Sequence, residues 1–345
     1  PPGNEYIFRE RAMGNSAISD VFSAVHGQIK EGAEEGKPLE QRPFIGELYL
    51  GHLRYSTTGR SGISYTHPFR RRNNWQSRNL CLAGNFNLTN VDEIFSAIVS
   101  RGQHPRHNAD TFIILEQLGY LLDEQVQQLR ELYKAKGLMG EELNAHIEEN
   151  LDLECIIRKA SESWDGGFVI VGATGSGDSF IFRDRWGIRP AFYYIDDEII
   201  VCASERAVIQ TVMNVAIDDV CSLDAGQGLV IKRDGSYSLS QIHQPVGPTP
   251  CSFERIYFSR GTDRDIYRER KTLGRLLSDP ILESVDHDLD HTVFSFIPNT
   301  AEVAYYGMME GINGYLNDKK RQQLLSLETP HEEQIEQILA HNVRT

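Results

Sequence analysis

Short apolar runs separated by polar turns occur along most of the chain, which is the pattern of β-strands. Such runs lie at residues 6–8, 44–50, 80–83, 167–172, 180–182, 191–194, 198–203 and 228–231. The turns between the later runs are rich in Gly, Ser and Asp, as tight turns between antiparallel strands are. The pattern predicts antiparallel sheets that begin near the N-terminus.

Helical spacing of apolar residues is found between these strands. It is present at 92–99 and at 109–122, and a charged helical segment follows at 123–163 with a break at 137–140. We expect this last segment to be an insert that forms a helical pair on the surface. Strands mixed with a few helices predict an α+β fold in which two sheets pack face to face and helices lie outside.

Three prolines within residues 244–250 predict an extended segment and a domain boundary. The chain therefore divides into a domain at 1–245 and a second one at 246–345. In the second domain, the apolar run 293–298 precedes the helical segment 301–309, which is typical of a β-α unit of a parallel sheet.

The rest of the second domain has a simpler pattern. It contains the apolar residues 256–258, a charged helix at 265–277 and a polar, helical segment at 317–345. We expect the parallel sheet to be incomplete within this chain.

Composition narrows the possible functions. The 345 residues are 40% hydrophobic and carry a net charge of −14, which argues against a nucleic-acid partner. No apolar stretch approaches the roughly 20 residues that a membrane span needs, so a cytoplasmic protein is expected. The five cysteines are scattered and suggest neither a disulfide framework nor a zinc site.

Two loops carry the most informative chemistry. Residues 51–59 read Gly-His-Leu-Arg-Tyr-Ser-Thr-Thr-Gly, and a cation followed by hydroxyl and backbone donors suits a carboxylate. Residues 83–90 read Ala-Gly-Asn-Phe-Asn-Leu-Thr-Asn, where an Asn amide and a backbone N–H can together bind an oxyanion. The alternative interpretation is that both loops are well-capped turns without a ligand.

Four motifs in order resemble signatures of the class II glutamine amidotransferases. They are residues 51–59, residues 83–90, Arg-Asp-Arg-Trp-Gly-Ile-Arg-Pro at 183–190 and Ala-Ser-Glu at 203–205. The resemblance implies the fold of the N-terminal nucleophile hydrolases, a four-layer α/β/β/α sandwich of two antiparallel sheets. It also implies that the first strand region is missing from this chain.

The resemblance assigns roles to five residues. Arg54 would bind the carboxylate of glutamine, Thr57 would help line that pocket and Asp110 would hold the α-ammonium group. Asn85 would donate to the oxyanion together with the backbone N–H of Phe86, which stands where the family has Gly. Glutamine is therefore the expected ligand.

The family's nucleophile is an N-terminal cysteine whose own α-amine is the general base. Residue 1 here is Pro, and an internal cysteine has no α-amine. We expect the natural protein to begin with a Cys some tens of residues upstream and the chain as given to be inactive. His67 stands where the family has Gln and is interpreted as structural.

The second domain resembles the start of a phosphoribosyltransferase domain found in one branch of the class. The resemblance rests on residues 251–260, 270–274 and 297–300. It implies that ammonia is transferred to phosphoribosyl pyrophosphate, which gives 5-phosphoribosylamine in the first step of purine synthesis.

The same resemblance bears on cofactors and assembly. Mg²⁺ is expected at the phosphoribosyl site of the full-length protein, and a homo-oligomer is expected. An iron–sulfur cluster with Cys251 as a ligand is possible, but the chain offers no further support for it. The acidic and His-rich residues 286–291 are interpreted as a solvated loop and not as a metal site.

Two other functions remain open at this point. A glutaminase domain of this class also serves other acceptors, for example in glucosamine-phosphate synthesis. A catalytically inactive scaffold homologue is the third interpretation, and an upstream Cys in the gene would exclude it.

Overall fold

The computed structural model describes residues 7–54, 62–105, 109–247, 249–329 and 331–345. By its contacts the chain divides into two compact units, Pro1–Ser204 with Cys221–Pro250 and Glu205–Val220 with Cys251–Thr345. The last of the three breaks follows Pro250, next to the predicted boundary. Residues 205–220, however, belong to the second unit, whereas the sequence pattern places them in the first domain.

The first unit contains two antiparallel sheets. The strands are β1 Phe69–Arg71, β2 Leu80–Leu88, β3 Gly166–Thr174, β4 Ser179–Arg183, β5 Phe192–Ile195, β6 Ile200–Ala203, β7 Cys221–Ser222, β8 Gln227–Ile231 and β9 Tyr237–Gln241. The larger sheet has the strand order β1-β2-β3-β4-β8-β9, and the smaller one has the order β6-β5-β7.

Alternating side chains give the larger sheet two apolar faces. In β3, Phe168 and Ile170 pack on helices, whereas Val169 and Val171 pack toward residues of the smaller sheet. The helices of the first unit are α1 Ala17–Glu34, α2 Val91–Ser100, α3 Asp110–Ala135, α4 Gly140–Glu149 and α5 Leu153–Ser161. The predicted α+β class and the pair of packed antiparallel sheets are confirmed.

The segment 123–163 is not a surface pair. Helix α3 continues through residue 123, and its buried Val126 joins the same core as Ile147 of α4 and Ile157 of α5. The prediction was wrong because the charged residues are conspicuous in the sequence, while the apolar stripe beneath them covers one face of the larger sheet.

The N-terminal segment forms no strand within residues 7–54. The rings of Phe8 and of Phe44, which lies in a turn with a φ of 60°, have centroids 5.7 Å apart. The Arg9 guanidinium donates to the Pro68 carbonyl. Side-chain contacts thus replace the strand ladder predicted at 6–8 and 44–50, of which residue 6 lies outside the described part. Helix α1, between them, is not among the predicted elements.

The second unit consists of helices. They are α6 Arg206–Met213, α7 Arg264–Leu276, α8 Ser278–Ser284, α9 Glu302–Leu325 and α10 Glu332–Ala340, with a short π-helix at Glu254–Phe258. The predicted strand at 293–298 is reduced to one parallel bridge between Val293 and Arg344. The Phe294 side chain is buried in the helical core, so this apolar residue of the run 293–298 has a packing role without a sheet.

No helix in the described part of the chain is both long enough and apolar enough to cross a membrane.

Candidate functional site

Several of the sequence-predicted site residues meet beside one edge of β2. The segment 52–54, the loop at 62–67 and the first turn of α3 all contribute side chains there. Arg54 is exposed, and its guanidinium donates to the carbonyl of Tyr65. Thr57, the second predicted residue of this loop, lies outside the described residues.

Two histidines bind the backbone of Gly84, the residue before Asn85. His52 donates from Nε2 to the Gly84 carbonyl at 3.0 Å, and the Gly84 N–H donates to Nδ1 of His67 at 3.3 Å. The ring centroids are 4.2 Å apart. A side chain does not fit at Gly84, because a Cβ atom would lie 2.2 Å from the carbonyl oxygen of Val169.

These bonds define the tautomer of His67 and extend the network to α3. Since Nδ1 accepts from a backbone N–H, the hydrogen of the neutral ring is on Nε2. His67 therefore donates to Thr111 Oγ1 at 3.3 Å, and that hydroxyl is 3.5 Å from the Asp110 carboxylate. The Asp110 carboxylate also accepts the Thr111 N–H at 2.8 Å.

The charges of this group follow from burial. Burial lowers the pKa of His67 to about 3, with smaller contributions from His52 and Arg54. Burial also lowers the pKa of His52. It raises the pKa of Asp110, against the opposing effects of the Thr111 hydrogen bonds and of Arg54. At neutral pH both imidazoles are uncharged, and Arg54 supplies the positive charge of the group.

Asn85 and Phe86 lie in the middle of β2, opposite Val169 and Phe168 of β3. The Phe86 side chain is on the helix-covered face, 5.4 Å from His67 between ring centroids. The Asn85 side chain is exposed on the opposite face, as the pleat requires. The structure therefore does not place the Asn85 amide on the face of β2 that carries Phe86 and packs on the helices.

The backbone N–H of Phe86 points to the edge of β2. Opposite it in β3, Phe168 donates its N–H to the Asp184 carboxylate and accepts the Asp184 backbone N–H at its carbonyl. Both groups of Phe168 therefore point away from β2, so Phe86 and Phe168 form a non-hydrogen-bonded pair. The N–H of Phe86 thus faces the same edge as that of Gly84. Because β1 pairs with residues 80–82, this edge lies beyond the end of β1.

The family-like motif at 183–190 has a structural role. Asp184 is fully buried, and its carboxylate accepts the N–H groups of Phe168, Trp186 and Ile188 at 2.9–3.1 Å. Arg183 donates to the carbonyls of Gly187, Arg189 and Leu223. The two side chains hold the loop between β4 and β5.

The acidic and His-rich segment 286–291 uses its side chains locally. The Asp288 carboxylate accepts from the His291 ring at 2.8 Å, and Asp290 is paired with His341. Among the described residues, no group of three or more His, Cys, Asp or Glu is placed to hold a metal ion.

The role of His67 was missed by sequence reasoning, although a signal was present. In the antiparallel pair, Phe69 lies opposite Leu82, so the position two residues earlier lies opposite Gly84. Once β1 and β2 are paired in register, His67 must therefore meet Gly84. The apolar run at 80–83 predicted β2, but nothing predicted the three-residue strand β1.

Comparisons with known proteins agree with the fold. Residues 133–237 match the family profile of the class II glutamine amidotransferases. This range includes the Asp184 loop but not Arg54, Asn85 or Asp110.

Two solved structures are similar to the chain. Glutamine phosphoribosylpyrophosphate amidotransferase of Bacillus subtilis has a TM-score of 0.55 and 19% identity over 90% of this chain and 59% of that one. A structure described as the allosteric regulatory enzyme of purine biosynthesis has a TM-score of 0.56 and 21% identity over 76% of this chain and 49% of that one.

Two curated relatives are both amidophosphoribosyltransferases. The amidophosphoribosyltransferase of Pseudomonas aeruginosa is 25% identical over 299 residues, covering 84% of this chain and 52% of the relative. That of Escherichia coli is 28% identical over 305 residues, covering 85% of this chain and 52% of the relative. The chain thus spans about half the length of these relatives. The chain is similar to the class II glutamine amidotransferases, and these two curated relatives are amidophosphoribosyltransferases.

Proposed function

We propose that the protein is an amidophosphoribosyltransferase, which hydrolyses glutamine and transfers the ammonia to phosphoribosyl pyrophosphate to give 5-phosphoribosylamine. The observation that carries the proposal is the meeting of Arg54, Asp110 and the Gly84–Phe86 segment around His67. Glutamine carries a carboxylate, an ammonium group and a reacting amide, and this group of residues offers a complement to each.

The two charged ends of glutamine select Arg54 and Asp110. A guanidinium binds a carboxylate through two parallel N–H bonds, and the imidazoles beside Arg54 are neutral and so do not compete with it for the carboxylate. Asp110 is half-buried at the first turn of α3, and an ammonium group beside it would favour its ionised form. Binding of glutamine should therefore release a proton at a pH near the raised pKa of Asp110.

The reacting amide would lie at the edge of β2. There the N–H of Phe86 is directed outward, and the proposal requires the Asn85 amide to turn to this edge from the other face of the strand. Two donors at an oxyanion stabilise the tetrahedral intermediate of amide hydrolysis, and loss of one donor typically costs about 100- to 1,000-fold in rate.

The proposal requires an N-terminal cysteine as the nucleophile, as in the family that the motifs resemble. Two cysteines of the chain are poorly suited to that role, because burial raises the pKa of Cys81 to about 11 and that of Cys202 to about 12. Neither offers an appreciable amount of thiolate at neutral pH.

The acceptor is proposed from the relatives. The curated relatives act on a phosphoribosyl substrate by name, and the similarity extends beyond residue 250 into the second unit. Mg²⁺ at that site and a homo-oligomer are part of the proposal, and Mg²⁺ would be held by one or two carboxylates together with the phosphates of the substrate.

The first test is mass spectrometry and N-terminal sequencing of the natural protein, followed by a glutaminase assay. An N-terminal Cys and glutamate release that rises with phosphoribosyl pyrophosphate would support the proposal. Release that responds to a sugar phosphate instead would favour another acceptor, and no release by an intact protein would favour the inactive scaffold.

The second test addresses the pocket. Asp110→Asn should weaken glutamine binding, measured by calorimetry, and should abolish the fall in affinity on acidification. Asp92→Asn in the first turn of α2 is a matched control, because it changes a helix N-terminal carboxylate outside the site. Equal affinities of the Asp110→Asn variant and the unmodified chain would exclude Asp110 as the ammonium ligand.

A further inference from the structure

We propose that His67 is a positioning residue that connects the oxyanion half of the glutamine site to its ammonium half. The inference rests on the proposed function and deepens it, because it assigns a role to a residue outside the expected set of glutamine contacts. His67 bonds to Gly84 of β2 through one ring nitrogen and to Thr111 of α3 through the other.

On the strand side, His67 and His52 form what we call the two-histidine clamp on Gly84. One ring accepts the Gly84 N–H and the other donates to its carbonyl, so both peptide planes that flank Gly84 are held. Asn85 follows directly, and the outward N–H of Phe86 is one peptide further along. The clamp therefore sets the direction of the two proposed oxyanion donors where β1 no longer pairs with β2.

On the helix side, His67 reaches Asp110 through Thr111. The Thr111 hydroxyl receives the Nε2–H of His67 and lies 3.5 Å from the Asp110 carboxylate, while the Thr111 N–H bonds to the same carboxylate oxygen at 2.8 Å. Thr111 is buried, and so is His67 at 8% exposure. The link is therefore enclosed and not a mobile surface contact.

The two halves must be held together because one substrate bridges them. The ammonium group and the reacting amide of glutamine are joined by a short carbon chain, and a misplacement of about 1 Å can cost about 100-fold in rate. A side chain that bonds to both supporting elements fixes their separation directly.

The link requires a neutral ring. Protonation would place a hydrogen on Nδ1, where it would face the N–H of Gly84. Two donors cannot bond to each other, so the bond to Gly84 would be lost. The groups that face His67 are His52 on the 52–54 segment, Arg54 and, through Thr111, Asp110 at the start of α3. His52 and Arg54 both disfavour a charge on His67, in keeping with this geometry.

Two substitutions separate the positioning role from simple packing. Gln has one acceptor and one donor at the end of its side chain, so His67→Gln can keep both bonds, whereas His67→Leu keeps neither. In the natural protein, we expect His67→Leu to lower kcat/KM for glutamine by roughly 10- to 100-fold, mainly in kcat, and His67→Gln to stay within about 3-fold.

His243→Leu is the matched control, because this half-buried ring also bonds to a buried hydroxyl, that of Ser161, but lies away from the site. A folded His67→Leu variant with unchanged kcat/KM would overturn the proposal. Equal losses in His67→Leu and His67→Gln would overturn it as well.

A spectroscopic test on the 345-residue chain needs neither glutamine hydrolysis nor a variant that folds. In ¹⁵N-histidine spectra, His67 should show the neutral Nε2–H tautomer with a hydrogen bond at Nδ1 down to pH 5. A charged ring or an Nδ1–H tautomer at pH 6 would overturn the inference. If the expected spectrum is seen but no glutamine binds, the glutamine-site proposal has failed while the connection itself stands.

Discussion

At the residue scale, the site is organised by the contrast between one charged and two neutral basic side chains. Burial lowers the pKa of both His52 and His67 and so keeps both rings uncharged, whereas Arg54 contributes a guanidinium group. A ligand carboxylate is therefore directed to Arg54 and not to the imidazoles. The exposed Arg54 guanidinium donates to the backbone carbonyl of Tyr65, and it can exchange that hydrogen bond for one to a ligand carboxylate.

Replacement of Arg54 should weaken glutamine binding in a graded way. We expect Arg54→Met to raise the Kd by roughly 10- to 100-fold, as loss of a charge-assisted hydrogen-bonded pair does. The Kd of the Arg54→Lys variant should lie between those of the unmodified chain and of Arg54→Met, because an ammonium group keeps the charge but cannot form the bidentate pair. Calorimetry is the measurement, and Arg42→Met is the control, since Arg42 bonds to the Lys37 carbonyl away from the site. An unchanged Kd in Arg54→Met would place the carboxylate elsewhere.

His67 should make the folded state sensitive to acid. Its pKa is about 3 in the folded chain and about 6.5 when unfolded, so between these values the unfolded chain binds a proton that the folded chain does not. Stability contributed by the neutral ring is present above pH 6.5 and is lost as the pH falls toward 3, by at most about 1.4 kcal/mol per pH unit.

This prediction is checked by urea unfolding at pH 7.5, 6.0 and 5.0. His67→Gln should show a shallower decline than the unmodified chain, because Gln does not titrate. Parallel declines in the two proteins would show that the ring is not held neutral by the fold.

At the element scale, helix crossings in the second unit depend on the absence of side chains. Gly274 of α7 faces the backbone of α9, where an added Cβ would lie 1.7 Å from the Ala304 carbonyl oxygen. At Gly307 of α9 an added Cβ would lie 1.8 Å from that of Lys271. These glycines reduce intrinsic helix propensity, yet the close approach of two backbones compensates for it.

Alanine at these glycines should therefore act oppositely to alanine elsewhere in the same helix. Gly274→Ala and Gly307→Ala should each lower the stability of the second unit by about 1–3 kcal/mol or more, because backbone atoms cannot move aside easily. Gly314→Ala, in α9 with nothing within 4 Å of its Cβ, should raise it by about 0.5–1 kcal/mol. Thermal unfolding followed by circular dichroism measures all three, and a stabilised Gly274→Ala variant would contradict the crossing.

The strand and helix predictions succeeded or failed for a common reason. The runs that became β3, β4 and β8 lie in a sheet with apolar residues on both faces, so their composition alone is distinctive. The run 293–298 is equally apolar, but only Phe294 is buried among helices, Val293 forms a single bridge, and Ile297 is exposed. Short apolar runs do not reveal which partner will cover them.

At the scale of the whole molecule, the contacts place residues 205–220 in the second unit, although they lie within the first domain in chain order. The pattern along the chain places them in the first domain, between strands of the smaller sheet. Within the second unit, the Arg206 guanidinium pairs with Asp263 at 2.7 and 2.9 Å and with Asp265 at 2.7 Å. Hydrogen bonding to Arg206 lowers the pKa of Asp265 to about 2.

Arg206→Met should loosen α6 from the rest of the second unit. Asp263 is nearly buried and would lose its partner, which we expect to cost about 2–3 kcal/mol. Hydrogen exchange should become faster in residues 206–213 and remain unchanged in β2 and β3. Arg264→Met is the control, because its exposed ion pairs contribute less than about 0.5 kcal/mol. Equal exchange in both variants would show that other contacts hold α6.

Sequence alone determined several local features of this protein: the runs that became β3, β4 and β8, the turn residues between them, and the motifs that contain Arg54 and Asn85. These depend on neighbours within a few residues, where hydrophobic period and turn chemistry act. Tertiary structure decided which of these residues meet. The register of β1 on β2 brought His67 to Gly84, and the pleat turned Asn85 away from Phe86. Such long-range pairings depend on the packing of whole elements, which a local pattern does not contain.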